Sequence, residues 1–135
     1  MARVALDPIG ATRAIVGEKM GSGSRENVQQ DMANATIKVI EYSLAAGAEE
    51  RAFLKTSSAL MSELARLKGY IKRELHKGEN GRWRDIVYWQ SRKDADQSEF
   101  DIPNIPACVK CIGMMNHADM TVTHFELIQE SKNDV

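Results

Sequence analysis

The chain has 135 residues, of which 43% are hydrophobic and 27% charged, and its formal net charge is −1. This length and composition are typical of a single globular domain. Because there is no excess of basic residues we expect no nucleic-acid partner, and because no apolar run approaches roughly 18 residues we expect no membrane partner.

Residues 1–34 differ in composition from the rest of the chain. Glycine and serine recur between residues 17 and 24, which is typical of a flexible linker. We therefore predict a flexible extension over 1–34, a folded domain over 35–130 and a polar tail over 131–135. Translation that begins at Met32 is an alternative explanation of the extension. The charged residues Asp7, Arg13 and Glu18 interrupt the apolar runs that a secretory signal needs, so we expect a cytoplasmic protein.

The folded part begins with a predicted strand and a predicted helix. Residues 36–43 are rich in β-branched residues that alternate with polar ones, which predicts a strand. Residues 48–67 have helical periodicity instead. Their apolar stripe contains Phe53, Leu60, Leu64 and Leu67.

A predicted β-hairpin follows, with strands over 70–76 and 83–89. Asn80-Gly81 lies between them, and this pair is a strong tight-turn signal because both residues tolerate positive φ. Three aromatic residues in the second strand give the hairpin a large apolar surface.

Two short helices and a fourth strand complete the domain. The helices are predicted over 92–99 and 107–115; Ser91 caps the first and Pro106 begins the second. Residues 121–129 alternate again and predict the last strand. With the two short helices counted together, the order β-α-β-β-α-β predicts an α+β fold of the ferredoxin-like type with a four-stranded antiparallel sheet.

This order of elements resembles the dimeric α+β barrel superfamily, which includes the antibiotic-biosynthesis monooxygenase-like domains. Local sequence segments carry the same resemblance, namely Gly69-Tyr70, Trp83 to Trp89, Ser91 to Ala95 and His124-Phe125-Glu126. The resemblance covers residues 35–130 and implies a homodimer. Helices would cover one face of each sheet, while the other face would pack against the second subunit, so that two sheets enclose a cavity.

Aromatic residues of the third strand are the candidate ligand-binding wall. Alternation puts Trp83, Asp85 and Trp89 on one face and Tyr88 on the other. Such a wall can hold a small aromatic or apolar ligand, although the same residues could instead form core and dimer interface. We predict that the substrate-binding residues are Trp89, Tyr88, Trp83 and Glu41.

His124 and Asp85 are the candidate catalytic residues. A histidine beside an aromatic pocket can act as a general base or orient the substrate. Glu41 and His76 are further candidates for proton transfer. The alternative for each of these residues is an ordinary hydrogen-bonded or solvent-facing polar side chain.

No cofactor and no metal site are expected from the sequence. The three histidines, His76, His117 and His124, lack the paired spacing of known zinc motifs. Cys108 and Cys111 form a single C-x-x-C that follows a proline-rich loop. We interpret them as two small core residues and not as a redox site. Haem degradation, known among proteins of this plan, is not expected, because the first strand has no Asn.

Two classes of function remain open. The first is a cofactor-independent monooxygenase-like enzyme that acts on an aromatic or quinol-type substrate. The second is a non-catalytic ligand-binding or stress-associated dimer of the same fold. Convergence of His124, Glu41 and Asp85 in one cavity would favour the enzyme, whereas a cavity filled by apolar side chains would favour the second class.

Overall fold

A computed structural model describes residues 34–132. The expectations for the extension, for a start at Met32 and for the end of the tail lie outside these residues. In chain order the elements are β1 Thr36–Tyr42, α1 Glu50–Leu64, β2 Tyr70–Lys77, β3 Trp83–Trp89, α2 Arg92–Asp101, α3 Pro106–Ile112 and β4 Thr121–Glu126. Single 3₁₀ turns follow α2 and precede β4.

The four strands form one antiparallel sheet in the order β2-β3-β1-β4. This topology confirms the predicted ferredoxin-like plan. The strand β3 was predicted with its observed bounds, and the hairpin turn contains Gly81 at a φ of 83°. Among the described residues no helix is long and apolar enough to cross a membrane.

The register of the sheet assigns each side chain to one of two faces. Paired residues of antiparallel strands project to the same side, so the row Val87–Lys38–His124 lies on one face and the row Ile86–Val39–Thr123 on the other. The first row belongs to the face that the helices cover. The second row belongs to a face that no described helix covers, which we call the open face.

The main core lies between the helix-covered face and the helices α1 and α3. The helix α1 contributes the predicted stripe, in which Phe53, Leu60 and Leu64 are buried. Burial of one such side chain contributes about 1.5–3 kcal/mol. A smaller apolar cluster of Val87, Trp89 and Ala95 lies beneath α2.

Three elements, α1, α3 and β4, each end three residues before the predicted end, and β1 ends one residue before it. The helix α3 ends at Ile112, since Met115 forms an isolated bridge with Leu44 and leaves the helical path. The strand β4 ends at Glu126. Beyond it, the amide of Leu127 donates to the carbonyl of Ala35 at 2.9 Å and the amide of Asn34 donates to the carbonyl of Leu127 at 3.1 Å.

Candidate functional site

The helix-covered face contains four of the six predicted site residues. They are Trp83, Asp85, Trp89 and His124, by strand alternation and register. Glu41 and Tyr88 lie on the open face instead. The sheet therefore separates the two groups, and Glu41 does not converge with His124 and Asp85.

Trp83 is part of the aromatic core. It is 5% exposed, and its ring meets the ring of Phe53 edge-on at a centroid distance of 5.2 Å. The ammonium group of Lys77 lies 5.6 Å from its ring centroid. Trp83 therefore has the environment of a core residue, which was the alternative to a ligand-binding role in the sequence analysis.

Asp85 is the centre of a buried polar network. Its carboxylate accepts hydrogen bonds from Nε and Nη2 of Arg73, the second at 3.0 Å, and from the hydroxyl of Tyr42 at 2.8 Å. Arg73 also donates from Nη1 to the hydroxyl of Ser57 at 2.7 Å. Since three donors already engage this carboxylate, it has little capacity left for a substrate.

The Asp85 carboxylate shifts the pKa values of its two neighbours, Tyr42 and Arg73. Burial and the neighbouring Asp85 carboxylate raise the pKa of Tyr42 far above its usual range, so its hydroxyl remains a donor. Burial opposes the charge of Arg73, but the hydrogen bond and the charge of Asp85 outweigh burial and raise the pKa of the guanidinium. The geometry thus makes Asp85 a structural anion, and its catalytic role stays a prediction.

The helix α2 is an unusual cover for an apolar sheet. Its only apolar side chains are Ala95 and Phe100, and Phe100 is 73% exposed. Beneath it the helix buries Ala95 and Ser98, both small. The helix α2 therefore contributes little apolar side-chain volume to the core.

Two buried polar atoms on the face that α2 covers have no partner among the described residues. They are Nε1 of Trp89 and Nε2 of His124. Native proteins rarely bury such groups without a hydrogen bond, so each calls for an explanation by water, ligand or ion. Trp89 is 1% exposed, and its N–H can only donate.

The two atoms belong to neighbouring parts of the sheet. Trp89 pairs with Thr36 and His124 pairs with Lys38, so β1 lies between the two residues. Strand spacings put their backbones about 10 Å apart across the sheet and about 7 Å apart along it. Long side chains can bridge much of that distance, so the two unpartnered atoms belong to one region of the sheet.

His124 lies in a charged environment. Burial first, and then the nearby cations Arg92 and Lys38, lower the pKa of its imidazole below the usual value. The ring is therefore neutral at pH 7, which is the form that accepts a proton or binds a metal.

Two carboxylates of α2, which the sequence analysis did not single out, complete this region. Asp96 and Glu99 each place an oxygen within 4.8 Å of a ring nitrogen of His124 and of each other. Lys38 contacts Glu99 at 3.2 Å and Arg92 contacts Asp96 at 2.8 Å. Their i, i+3 spacing on one helix face was visible in the sequence, but only the tertiary fold brings His124 to them.

The open face presents polar groups at both ends of an apolar centre. Glu41 forms an ion pair with Arg84 at 2.6 Å, and Lys72 lies 4.5 Å from the centroid of the Tyr88 ring. Both contacts are partly exposed to solvent.

The C-x-x-C pair lies in the core and not at a reactive surface. Cys108 and Cys111 are both free thiols, 2% and 0% exposed. Burial raises the pKa of both thiols, so neither is poised as a thiolate. This placement agrees with the expectation of two small core residues.

Several solved structures share this architecture at low sequence identity. A single-residue variant of SnoaB, a cofactor-independent oxygenase from Streptomyces nogalater, aligns with a TM-score of 0.60 and 12% identity over 73% of this chain and 97% of that one. A dimeric ferredoxin-like protein from an uncultured marine organism gives 0.57 and 16%, over 78% and 98% of the two chains. The chain has the ferredoxin-like α+β fold of these proteins.

A third structure extends the comparison. It is a protein from Nitrosomonas europaea, provisionally named an antibiotic biosynthesis monooxygenase, with a TM-score of 0.58 and 10% identity over 74% of this chain and 96% of that one. The ferredoxin-like fold is thus confirmed, and function must be argued from the site, since one fold serves many activities. No protein-family model matches the chain, and no curated protein matches its sequence significantly.

Proposed function

We propose that this protein binds a small aromatic molecule of the quinol type between α2 and the sheet and oxidises it with molecular oxygen without a cofactor. The observation that carries the proposal is the pair of buried, unpartnered polar atoms of Trp89 and His124 on the face covered by α2. A quinol has an oxygen at each end of its ring, so it can meet both groups at once. The cofactor-independent oxygenase among the structural neighbours supports this choice of chemistry.

In the proposed reaction His124 acts as the general base. Its neutral imidazole removes a phenolic proton, and the N–H of Trp89 donates to an oxygen whose negative charge increases. The electron-rich anion reacts with oxygen at a ring carbon and forms a hydroperoxide, which loses water. One oxygen atom stays on the ring and the other leaves as water, so the quinol supplies all the electrons and no separate reductant is needed.

Oxygen uptake with 1,4-dihydroxynaphthalene as the probe tests the proposal. The expected product is 2-hydroxy-1,4-naphthoquinone with one water per oxygen consumed. His124→Gln should lower the rate about 100-fold, as expected for loss of a general base. Trp89→Phe keeps the ring but removes the N–H, and should lower the rate about tenfold.

A matched control is His76→Gln, because His76 is an exposed histidine next to a carboxylate, Glu74, on the other face of the sheet. It should leave the rate unchanged. Equal rates for the wild type and His124→Gln would contradict the proposal. Formation of only 1,4-naphthoquinone and hydrogen peroxide would do so too, because that is simple autoxidation.

A binding protein without catalysis is the second candidate. The engagement of Asp85 by Arg73 and Tyr42 favours it, since one of the two predicted catalytic groups already accepts three hydrogen bonds within the protein. Saturable binding of the quinol probe, measured by quenching of tryptophan fluorescence, with no protein-dependent oxygen uptake would identify this function.

A homodimer formed through the open face is part of the proposed function. Ile37, Val39 and Ile86 lie at its centre without a covering helix, and Phe125 is 53% exposed beside them. An apolar centre with a charged rim is typical of protein interfaces. The dimeric ferredoxin-like neighbour supports the same arrangement.

The dimer can be tested with one charge. Ile86→Arg should convert a dimer into a monomer at micromolar concentration in sedimentation velocity, because a buried unpaired charge opposes association. Leu54→Arg is the control, since Leu54 is an exposed apolar residue of α1, away from the sheet. A wild-type monomer, or a dimer that persists in Ile86→Arg, would contradict this interface.

We also propose a cytoplasmic location for this activity. Both described cysteines are free thiols, which agrees with a reducing compartment.

A further inference from the structure

Asp96, Glu99 and His124 form a cluster of three potential metal ligands. One ligand atom from each residue lies within 4.8 Å of the other two. The two acids lie one turn apart on α2, and the histidine projects from β4 towards them. Ligands from a helix and a strand thus approach one point from two sides.

The histidine of this cluster is incompletely satisfied. Its Nε2 atom is buried and has no hydrogen-bond partner among the described residues. A protein group would usually supply such a partner. An unprotonated imidazole nitrogen can donate its lone pair to a metal ion instead of accepting a hydrogen bond.

Two basic side chains form ion pairs with the acids of the cluster. Lys38 contacts Glu99, and Arg92 contacts Asp96. The acid side chains are 49% and 52% exposed, and exposed ion pairs contribute little to stability. A divalent cation can therefore displace Arg92, which is 60% exposed, at small cost, whereas Lys38 is only 12% exposed and competes with the cation for Glu99.

We propose that Asp96, Glu99 and His124 bind a divalent transition-metal ion of the zinc class. One imidazole nitrogen and two carboxylate oxygens suit such ions, whereas magnesium and calcium prefer oxygen ligands alone. Three protein ligands leave further coordination positions for water or a small molecule. The site does not depend on the proposed oxygenase activity. A bound metal would instead compete for the lone pair that His124 needs as a base.

Cobalt(II) is a suitable probe because its visible absorption reports coordination directly. Titration of the full chain, freed of metal with a chelator, should show saturation at one ion per chain. His124→Gln and Glu99→Gln should each weaken binding about tenfold or more. Lys38→Met should tighten binding several-fold, because it removes the competing ammonium group from Glu99. As a control, His76→Gln alters the exposed His76–Glu74 pair on β2 and should leave cobalt binding unchanged.

Each outcome decides the matter. The pattern above supports the site, and the opposite responses to Lys38→Met and Glu99→Gln cannot arise from unfolding. Equal cobalt affinity in the wild type and His124→Gln would overturn the proposal. Intense near-ultraviolet bands of cobalt thiolate would overturn it as well, because they would move the ion to Cys108 and Cys111. Oxygen uptake by metal-free protein is measured separately, so failure of one proposal leaves the other intact.

Discussion

Replacement of Arg73 with methionine should lower the free energy of unfolding by about 3–5 kcal/mol, the usual effect of breaking a buried ion pair. The Arg73 side chain is 1% exposed and that of Asp85 is 6% exposed. The substitution would leave a carboxylate in the core with only the hydroxyl of Tyr42 as a partner. Urea unfolding followed by tryptophan fluorescence measures the loss.

A matched pair of variants separates burial from charge. Arg84→Met also removes an arginine–carboxylate contact of β3, but its partner Glu41 is partly exposed, so its cost should stay below about 1 kcal/mol. The double variant Arg73→Met with Asp85→Leu should regain much of the loss, because apolar residues can replace a buried ion pair. Equal losses of unfolding free energy in Arg73→Met and Arg84→Met would show that the buried network stabilises the fold no more than an exposed ion pair does.

The sequence predicted β3 and its faces well, and the reason is physical. Trp83, Asp85, Val87 and Trp89 alternate with residues 84, 86 and 88, and strand geometry turns that alternation directly into two faces. The apolar stripe of α1 was equally informative, since helical period alone determines which side chains meet the sheet. Local rules therefore captured the order of elements, the topology and most of the core.

The partner of Asp85 could not be predicted in the same way. Regular alternation from Tyr70 would place Arg73 on the opposite face, but the register shifts between Tyr70 and Lys72 and brings Arg73 to the same face. A bulge of this kind changes the direction of every later side chain in the strand. Asp85 consequently looked like a free carboxylate when read from the sequence.

The surroundings of His124 depend on long-range packing. Lys38, Asp96 and Glu99 are at least 25 positions from it in the chain, and the path of α2 over β1 brings them together. Periodicity places a residue on a face but does not show which helix covers it. His124 and Trp89 could therefore be predicted as site residues from the sequence, whereas the charged neighbours of His124 could be identified only from the fold.

Replacement of Gly69 with alanine should lower the free energy of unfolding by about 2–4 kcal/mol. Gly69 has a φ of 82°, and a non-glycine residue in this left-handed conformation costs about 1–2 kcal/mol. A methyl group there would also lie 2.5 Å or less from three atoms of the Asp94 side chain. The Asp94 side chain would have to move, which breaks the hydrogen bond that its carboxylate accepts from the hydroxyl of Ser91 at 3.0 Å, and loss of such a bond costs about 0.5–1.5 kcal/mol.

Gly81 provides a close control for the backbone contribution. Its φ is 83°, yet a methyl group there would meet nothing within 4 Å. Gly81→Ala should therefore cost only about 1–2 kcal/mol. In an Asp94→Gly background, which removes the clashing atoms, Gly69→Ala should fall to the cost of Gly81→Ala. If thermal unfolding shows the same loss of stability for Gly69→Ala in both backgrounds, the contact with Asp94 does not explain why glycine is needed at position 69. If the loss falls as expected, this contact holds the first turn of α2 against the sheet, beside the face that contains Trp89 and His124.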